Sequence, residues 1–362
     1  MIRVLHVGLS SNTGGIENVV RSWNQNLPDD IAFDFINVEN QPLAYEEELK
    51  SKGAKIFTIP SRKCNAAESY AELKEIIEKG NYDYVQHHIM SYSWPEPTLI
   101  ACKTKCAKAI VHSHSVIRKE SLSFKYKLMH RYGRLRLSPY KYYRLACGMD
   151  AGLTMFGNNV FEVIENGIEI LKFSYSETWR DEIRNRHLVK NEEFLVGHVG
   201  RWGAPKNYPF IYETFKKLHK KVPNTKLILI GDVEREPVVG QMLNDPDIKN
   251  SVICTGRVNQ SWKYYSAMDV FFMPSLWEGV SVALIEAQAS GLKCVVSKNV
   301  PKESAISDNV DFVNVENTDE AVEKLSEILE NPYGRSDVTL DPRYDIKVSS
   351  VKMFDFFRAH LK

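Results

Sequence analysis

The chain has 362 residues, 43% of them apolar and 26% charged, with a formal net charge of +1, an ordinary composition for a soluble globular protein. No apolar run approaches the roughly 18 residues that a membrane span needs. Six cysteines in so long a chain, with no Cys-x-x-Cys pair, exclude a dense disulfide framework.

The opening Met-Ile-Arg-Val-Leu-His-Val-Gly reads as a first strand, Arg3–Val7, and lacks the cleavage region of a signal peptide. A cytoplasmic chain with reduced thiols is expected. The strand runs into Gly8-Leu-Ser-Ser-Asn-Thr-Gly14-Gly15, and a helical pattern follows over Ile16–Asn26. Further strands are expected at Ile31–Val38, Lys55–Ile59, Tyr82–Gln86, Ala109–His112 and Asn159–Ile164, with a helix over Ala66–Lys79. A second series follows at Phe194–Val199, Lys226–Ile230, Val252–Cys254, Val270–Met273 and Cys294–Ser297, with helices over Pro209–Lys221 and Val282–Ser290. Several strands are continuously apolar, as parallel strands covered on both faces are. Two successive series predict an α/β protein with two parallel sheets. Tyr344–Lys362 has a helical apolar pattern expected to return to the first domain, giving domains 1–166 plus 344–362 and 167–343. Ligands of open parallel sheets bind beyond the carboxyl ends of strands, so a cleft between two facing sheets is the place to search.

The glycine pair lets backbone approach a ligand, and helix-start N–H groups favour anions. Ser10 stands where a dinucleotide fingerprint has its second glycine, which disfavours a dehydrogenase. His87-His88 and His112-x-His114 end two strands. Four such imidazoles could bind zinc, but a Cys or carboxylate ligand is missing from the pattern, and hydrogen-bonding roles are favoured. Asp245-Pro-Asp247 spells the Asp-x-Asp of some metal-dependent nucleotide-sugar enzymes, yet it follows a helix in a polar loop and reads as a turn. In the second series, Gly200-Arg201-x4-Lys206-Asn207 places two cations on a strand-to-helix loop, where both can meet one anion. Glu278 precedes a helix with Ser281 as N-cap and Gly291 as stop, and Glu286 lies within it among alanine, leucine and isoleucine. A carboxylate in that setting needs a partner, for which ribose hydroxyls are suited, while the helix N-terminus between the two acids suits a diphosphate.

Gly14-Gly15-Ile-Glu17, His112-x-His114, Asn166-Gly167-Ile-Glu169, the Arg201/Lys206 loop and Glu278-x7-Glu286 occur in that order across nearly the whole chain. This set resembles the retaining glycosyltransferases of family 4, which have the GT-B fold, and the Pro274–Leu292 run is most similar to the bacterial exopolysaccharide and capsule branch. The resemblance implies a nucleotide-sugar donor, UDP-linked by preference, bound mainly by the second domain, and a saccharide or undecaprenyl-type lipid-linked acceptor bound mainly by the first. It implies that Arg201 and Lys206 hold the diphosphate, Glu286 the ribose and Glu278 the sugar hydroxyls, assisted by backbone N–H groups of Gly279, Val280, Ser281 and Val282. It places His114 near the sugar and Gly14-Gly15 near the phosphates or acceptor. It implies retention without an enzymic nucleophile, closure about Asn166-Gly167, and no cofactor or metal. Glu165, Glu169 and Ser281 depart from the commoner residues of the pattern without removing a charged group.

Ile117–Ala146 carries nine cations against one acid, while the rest of the chain has a net charge of −7. Arg118, Lys119, Lys125, Lys127, Arg131, Arg134, Arg136, Lys141 and Arg144 interleave with Phe124, Tyr126, Leu128, Tyr132, Leu135, Leu137 and Tyr140–Tyr143. A basic, aromatic-rich helical segment over 118–144 is expected to lie on anionic lipid at the inner face of the membrane, with a solvated helix face as its rival. No nucleic-acid recognition motif accompanies the charges. A nucleotide-sugar epimerase or hydrolase of the same fold, or a silent sugar- or lipid-binding subunit, is the competing reading.

Overall fold

In the computed structural model, which describes residues 1–114, 116, 123–331, 333–335 and 338–361, the chain forms two compact units. One is Met1–Ile168 with Arg343–Lys362 and the other Glu169–Pro342. Asn166-Gly167 lies within the first unit, where a Cβ on Gly167 would stand 2.8 Å from the Ile346 Cα.

The first unit holds β1 (Ile2–Val7), β2 (Ile31–Asn37), β3 (Ile56–Thr58), β4 (Tyr84–Ile89), β5 (Lys108–Ser113), β6 (Tyr143–Ala146) and β7 (Glu162–Val163). They make one parallel sheet in the order β3-β2-β1-β4-β5-β6-β7. Side chains alternate between its faces. Val4, Phe33, Tyr84 and Ile110 join a core with Trp23, while Leu5, Ile36, Val85 and Ala109 face the opposite core with Leu73 and Ile77. The C-terminal helix Ile346–Ala359 belongs to this unit and buries Met353, Phe354 and Phe357 in the first of those cores. The Tyr84 hydroxyl donates to the Phe357 carbonyl at 2.8 Å, and Lys352 holds the buried Glu165 carboxylate at 2.9 Å.

The second unit holds β8 (Phe194–Val199), β9 (Thr225–Ile230), β10 (Val252–Cys254), β11 (Val270–Met273), β12 (Cys294–Ser297) and β13 (Val310–Val313). Its parallel sheet runs β10-β9-β8-β11-β12-β13.

Three elements differ from expectation. The strand expected over Asn159–Ile164 is reduced to the edge pair Glu162–Val163. The basic segment is not helical throughout: a helix, Phe124–Leu137, is followed by β6, in which Leu145 and Ala146 are buried and Tyr143 and Arg144 half-buried. The short strand β13 was not anticipated, because an edge strand with a charged Asp311 has no continuous apolar run.

Arg335 is half-buried and donates to the carbonyls of Tyr265 (2.7 Å), Ser266 (2.8 Å), Met268 (3.0 Å) and Ser290 (2.8 Å). These carbonyls close the helices Ser261–Ala267 and Val282–Ala289, whose C-terminal ends favour a cation. Replacing Arg335 by Met leaves several buried acceptors unpaired and should cost about 2–4 kcal/mol. The check is chemical denaturation of the variant: an unchanged midpoint would remove Arg335 from this role.

Candidate functional site

Strand order reverses between β8 and β11, since from β8 the sheet grows one way through β9 and the other through β11. At such a switch point the loops leaving two neighbouring strands diverge, and a crevice opens beyond their carboxyl ends. Those two loops carry the second-domain motifs: Gly200–Asn207 follows β8 and Pro274–Ser281 follows β11. They are stitched together by backbone and side chain, with Leu276 N donating to Pro205 O at 2.8 Å and Asn207 Nδ2 to Pro274 O at 3.2 Å.

Lys206 and Glu278, 72 residues apart, form an ion pair, Nζ to Oε1 at 2.6 Å, with both side chains largely buried. Ser275 Oγ donates to the same carboxylate oxygen at 2.8 Å. The lysine stem passes over Gly200, where an added Cβ would lie 3.0 Å from Lys206 Cε and from His198 Nε2. Glycine at 200 therefore makes room for the pair. His198 is wholly buried with Nδ1 2.9 Å from Phe272 O, which leaves Nε2 without a partner. Burial, then the nearby Lys206 charge, push its pKa down to about 3, so it is a neutral ring. Arg201 is exposed and has no carboxylate partner among the described residues. The loop thus holds one cation committed to a carboxylate and one open to solvent.

Ser281 occupies the N-cap position of the helix Val282–Ala289, but its side chain does not cap it; the hydroxyl turns to Met273 Sδ at 3.3 Å. The N–H groups of Leu284 and Ile285 both reach Ser281 O. Those of Val282 and Ala283 have no partner among the described residues, and they give the helix start its partial positive charge. Glu286 lies on this helix and accepts from the Tyr265 hydroxyl at 2.8 Å. Burial raises its pKa to about 7 against the opposing pull of Tyr265 and of Lys172.

In the first unit, Gly14 is the N-cap of the helix Gly15–Gln25. Its missing side chain leaves space for the Glu17 carboxylate, since a Cβ there would be 2.7 Å from Glu17 Oε2. Glu17, to which no role was assigned, accepts from Ser10 N at 3.0 Å and Ser10 Oγ at 2.8 Å. It thereby fixes the turn in which Ser10 replaces glycine. His114 follows β5, its Nε2 2.9 Å from His88 Nδ1. His87 takes no part in that cluster: alternation turns it to the other face, against Thr98 Oγ1 at 3.0 Å. His6 of β1 stands in its place, Nδ1 2.9 Å from His88 Nε2. Asp245 and Asp247 are ion-paired to Lys216 at 2.8 and 3.4 Å, with Tyr212 donating to Asp245, as a structural turn requires. Sequence reading missed Ser275, Tyr265, His6 and His198. Only His198, a lone polar residue in an apolar strand next to Gly200, left a local signal.

Residues 180–340 match the family described as glycosyl transferases group 1. The chain therefore carries a group 1 glycosyltransferase domain, and that domain fills most of the second unit. EpsF of Bacillus subtilis is 29% identical over 306 residues, covering 82% of this chain and 79% of EpsF. The UDP-Gal:alpha-D-GlcNAc-diphosphoundecaprenol alpha-1,3-galactosyltransferase of Escherichia coli is 24% identical over 324 residues, with 82% and 79% covered. The capsular polysaccharide biosynthesis glycosyltransferase CapH of Staphylococcus aureus is 22% identical, with 85% and 84% covered. Among solved structures, HepE of Anabaena in complex with UDP and glucose superposes with a TM-score of 0.83 at 16% identity, over 99% of this chain and 100% of that one. The fold is GT-B.

The raised pKa of Glu286 has a sign that can be measured. A carboxyl that ionises at about 7 when folded and at its ordinary 4.5 when unfolded binds more protons in the native state between those values. Its contribution to stability is present in full below 4.5 and lost as pH rises through 7. Relative to the parent, Glu286→Gln should melt at the same temperature near pH 4.5 and at a higher one at pH 8. A constant difference across that range would show that Glu286 titrates normally.

Proposed function

We propose that the chain is a retaining glycosyltransferase that moves a hexose or N-acetylhexosamine from a UDP-sugar to a saccharide or lipid-linked acceptor in surface polysaccharide assembly. The observation that carries this reading is the pairing of the Arg201/Lys206 loop with the Glu278–Glu286 segment across the β8/β11 switch point. Two cations and two free helix-start N–H groups there share one edge with two carboxylates, the combination that a sugar attached to a nucleoside diphosphate asks for. The E. coli relative is named for UDP-galactose and a diphosphoundecaprenol acceptor, and CapH for capsular polysaccharide.

In the reaction, the bond between the anomeric carbon and the diphosphate oxygen breaks and its electron pair stays on the diphosphate. Arg201, Lys206 and the N–H groups of Val282 and Ala283 stabilise that charge, electrostatic work that needs no metal at this site. The acceptor hydroxyl attacks the face the diphosphate leaves, and its proton passes to the departing phosphate oxygen. Glu278 and the N–H groups of Gly279 and Val280 orient the sugar, and Glu286 accepts from ribose hydroxyls; the Ser281 N–H is already given to Ser304 Oγ at 3.1 Å and takes no part. Lys206 is held ready by Glu278 and turns from it to the diphosphate as donor binds.

The helix Phe124–Leu137 supports a peripheral place on the inner membrane face. No helix among the described residues is long and apolar enough to cross a membrane. Arg118 and Lys119 lie outside the described residues. On the helix, Phe124 (83% exposed), Leu128 (59%), Tyr132 (60%) and Leu135 (60%) line one stripe, within an arc of about 80° at 100° per residue. Lys125 and Arg136 flank it on one side, Lys127 and Arg134 on the other. An apolar stripe bordered by cations fits the headgroup boundary of an anionic bilayer.

Calorimetry with UDP, GDP, ADP and CMP, in EDTA and then with magnesium, tests the donor site: UDP should bind in EDTA, and more tightly at pH 8 than at pH 6 because ionised Glu286 is the better acceptor. Arg201→Ala and Glu278→Ala should each lower transfer at least about 100-fold. Unchanged rates would remove these residues from the site, and nucleotide release without acceptor would favour a hydrolase. For the membrane contact, the parent should float with phosphatidylglycerol vesicles and not with phosphatidylcholine ones. Replacing Phe124 and Leu128 by Ser should abolish flotation; co-migration of that variant would place the contact elsewhere.

A further inference from the structure

Strand alternation gathers His6, Gln86, His88, His112 and His114 on one face of the first sheet, where β4 and β5 pair His88 with His112. His88, His112 and His114 each offer a ring nitrogen to a group whose members all lie within 4.8 Å of one another. From this juxtaposition we propose that His88, His112 and His114 form a binding site for one divalent ion of the zinc class, with three nitrogen ligands and an open fourth position. Nothing in the donor site of the second unit is needed for it.

The hydrogen bonds around the cluster supply the outer partners such a site needs. His88 Nε2 lies 2.9 Å from His6 Nδ1, so a proton on Nε2 is held by His6 and Nδ1 is left as a lone pair directed at His114. His112 Nδ1 lies 2.9 Å from Gln86 Nε2, and a flip of that amide presents instead its oxygen, which has no partner as placed. With the amide oxygen turned to it, that amide accepts the Nδ1 proton and leaves Nε2 as the ligand. His112 is fully buried and its Nε2 has no partner, so a polar atom points into the group with nothing to meet. Metal-bound histidines commonly donate their second N–H to a carbonyl or a similar acceptor, which fixes ring and tautomer. His114 Nδ1 is also without a partner, so the ring can carry its proton there and present Nε2. No proton then has to leave the protein. A tetrahedral ion with Zn–N near 2.0–2.1 Å spaces its nitrogens by about 3.3 Å, against 2.9 Å between His88 Nδ1 and His114 Nε2. The three nitrogens together lie within 4.8 Å of one another, so the rings must rotate to close on the ion as it binds.

Neutral imidazole is the ligating form. The set contains no carboxylate, so the ion keeps its charge and its fourth position favours an oxygen ligand with anionic character. His114 is the least buried of the three.

The test is a cobalt titration of the full chain after chelator treatment and dialysis. One equivalent of Co2+ should give visible ligand-field absorption of four-coordinate intensity, and Zn2+ should displace it. His112→Gln should lose the absorption, as should His114→Ala, whose ring is the least buried of the three, so that its loss is least disruptive to folding. His87→Gln, altered on the opposite face, should keep it. Absence of cobalt absorption in the parent, or its survival in His114→Ala, would overturn the site and leave the cluster as a hydrogen-bonded group.

Discussion

A parallel sheet that grows first one way from its opening strand and then the other must place two diverging loops side by side. In the second unit those loops follow β8 and β11, and what welds them is the Lys206–Glu278 ion pair at 2.6 Å, with Ser275 completing the carboxylate. Without that topology the motif cations and the motif acids would belong to different regions of the molecule. Gly200 contributes by absence, leaving the volume through which the lysine stem runs. The strand register, one glycine and one ion pair thus set the positions of Lys206 and Glu278.

The same geometry explains which parts were legible in the sequence. Buried parallel strands write themselves as apolar runs, so β1, β8, β9, β11 and β12 could be read directly, and charged groups at their ends stood out. β6 could not, because Tyr143 and Arg144 are half-buried and resemble the basic helix before them. β13 is a short edge strand in which only Val313 is fully buried. The partners of the site acids were illegible for a different reason. Tyr265 meets Glu286 and Lys206 meets Glu278 across separations that only tertiary packing closes. With the histidines, the error lay in treating sequence neighbours as spatial ones. The two-residue period of a strand separates His87 from His88 and brings in His6 from β1.

Ser10 stands where a dinucleotide fingerprint has glycine, Glu165 and Ser281 depart from the commoner residues of the family pattern, and the structure shows how each is accommodated. Ser10, in place of a glycine, is tied by both its N–H and its hydroxyl to Glu17. Glu165 is buried and answered by Lys352 from the C-terminal helix, so a charged residue beside Asn166 fastens that helix to the first unit. Ser281 keeps its N-cap position while its hydroxyl is directed inward to a methionine sulfur. That last substitution leaves the helix start uncapped by protein, which suits a surface meant to receive an anion rather than one meant only for stability.

An ion pair in a binding loop has two physical consequences that pull in opposite directions. Pairing Lys206 with Glu278 lowers the cost of holding either charge in a part-buried setting, and it keeps both side chains ordered before a ligand arrives. Under the proposed function, it also means that the donor's diphosphate competes with a carboxylate for the lysine. That competition is favourable only if the carboxylate gains another partner at the same moment, and sugar hydroxyls are donors of the right kind. Diphosphate alone would leave Glu278 poorly satisfied, and sugar alone would leave Lys206 attached to it. The pair is fully exchanged only by a molecule that brings both groups in one covalent piece, which is a physical basis for preferring the intact donor over either of its halves.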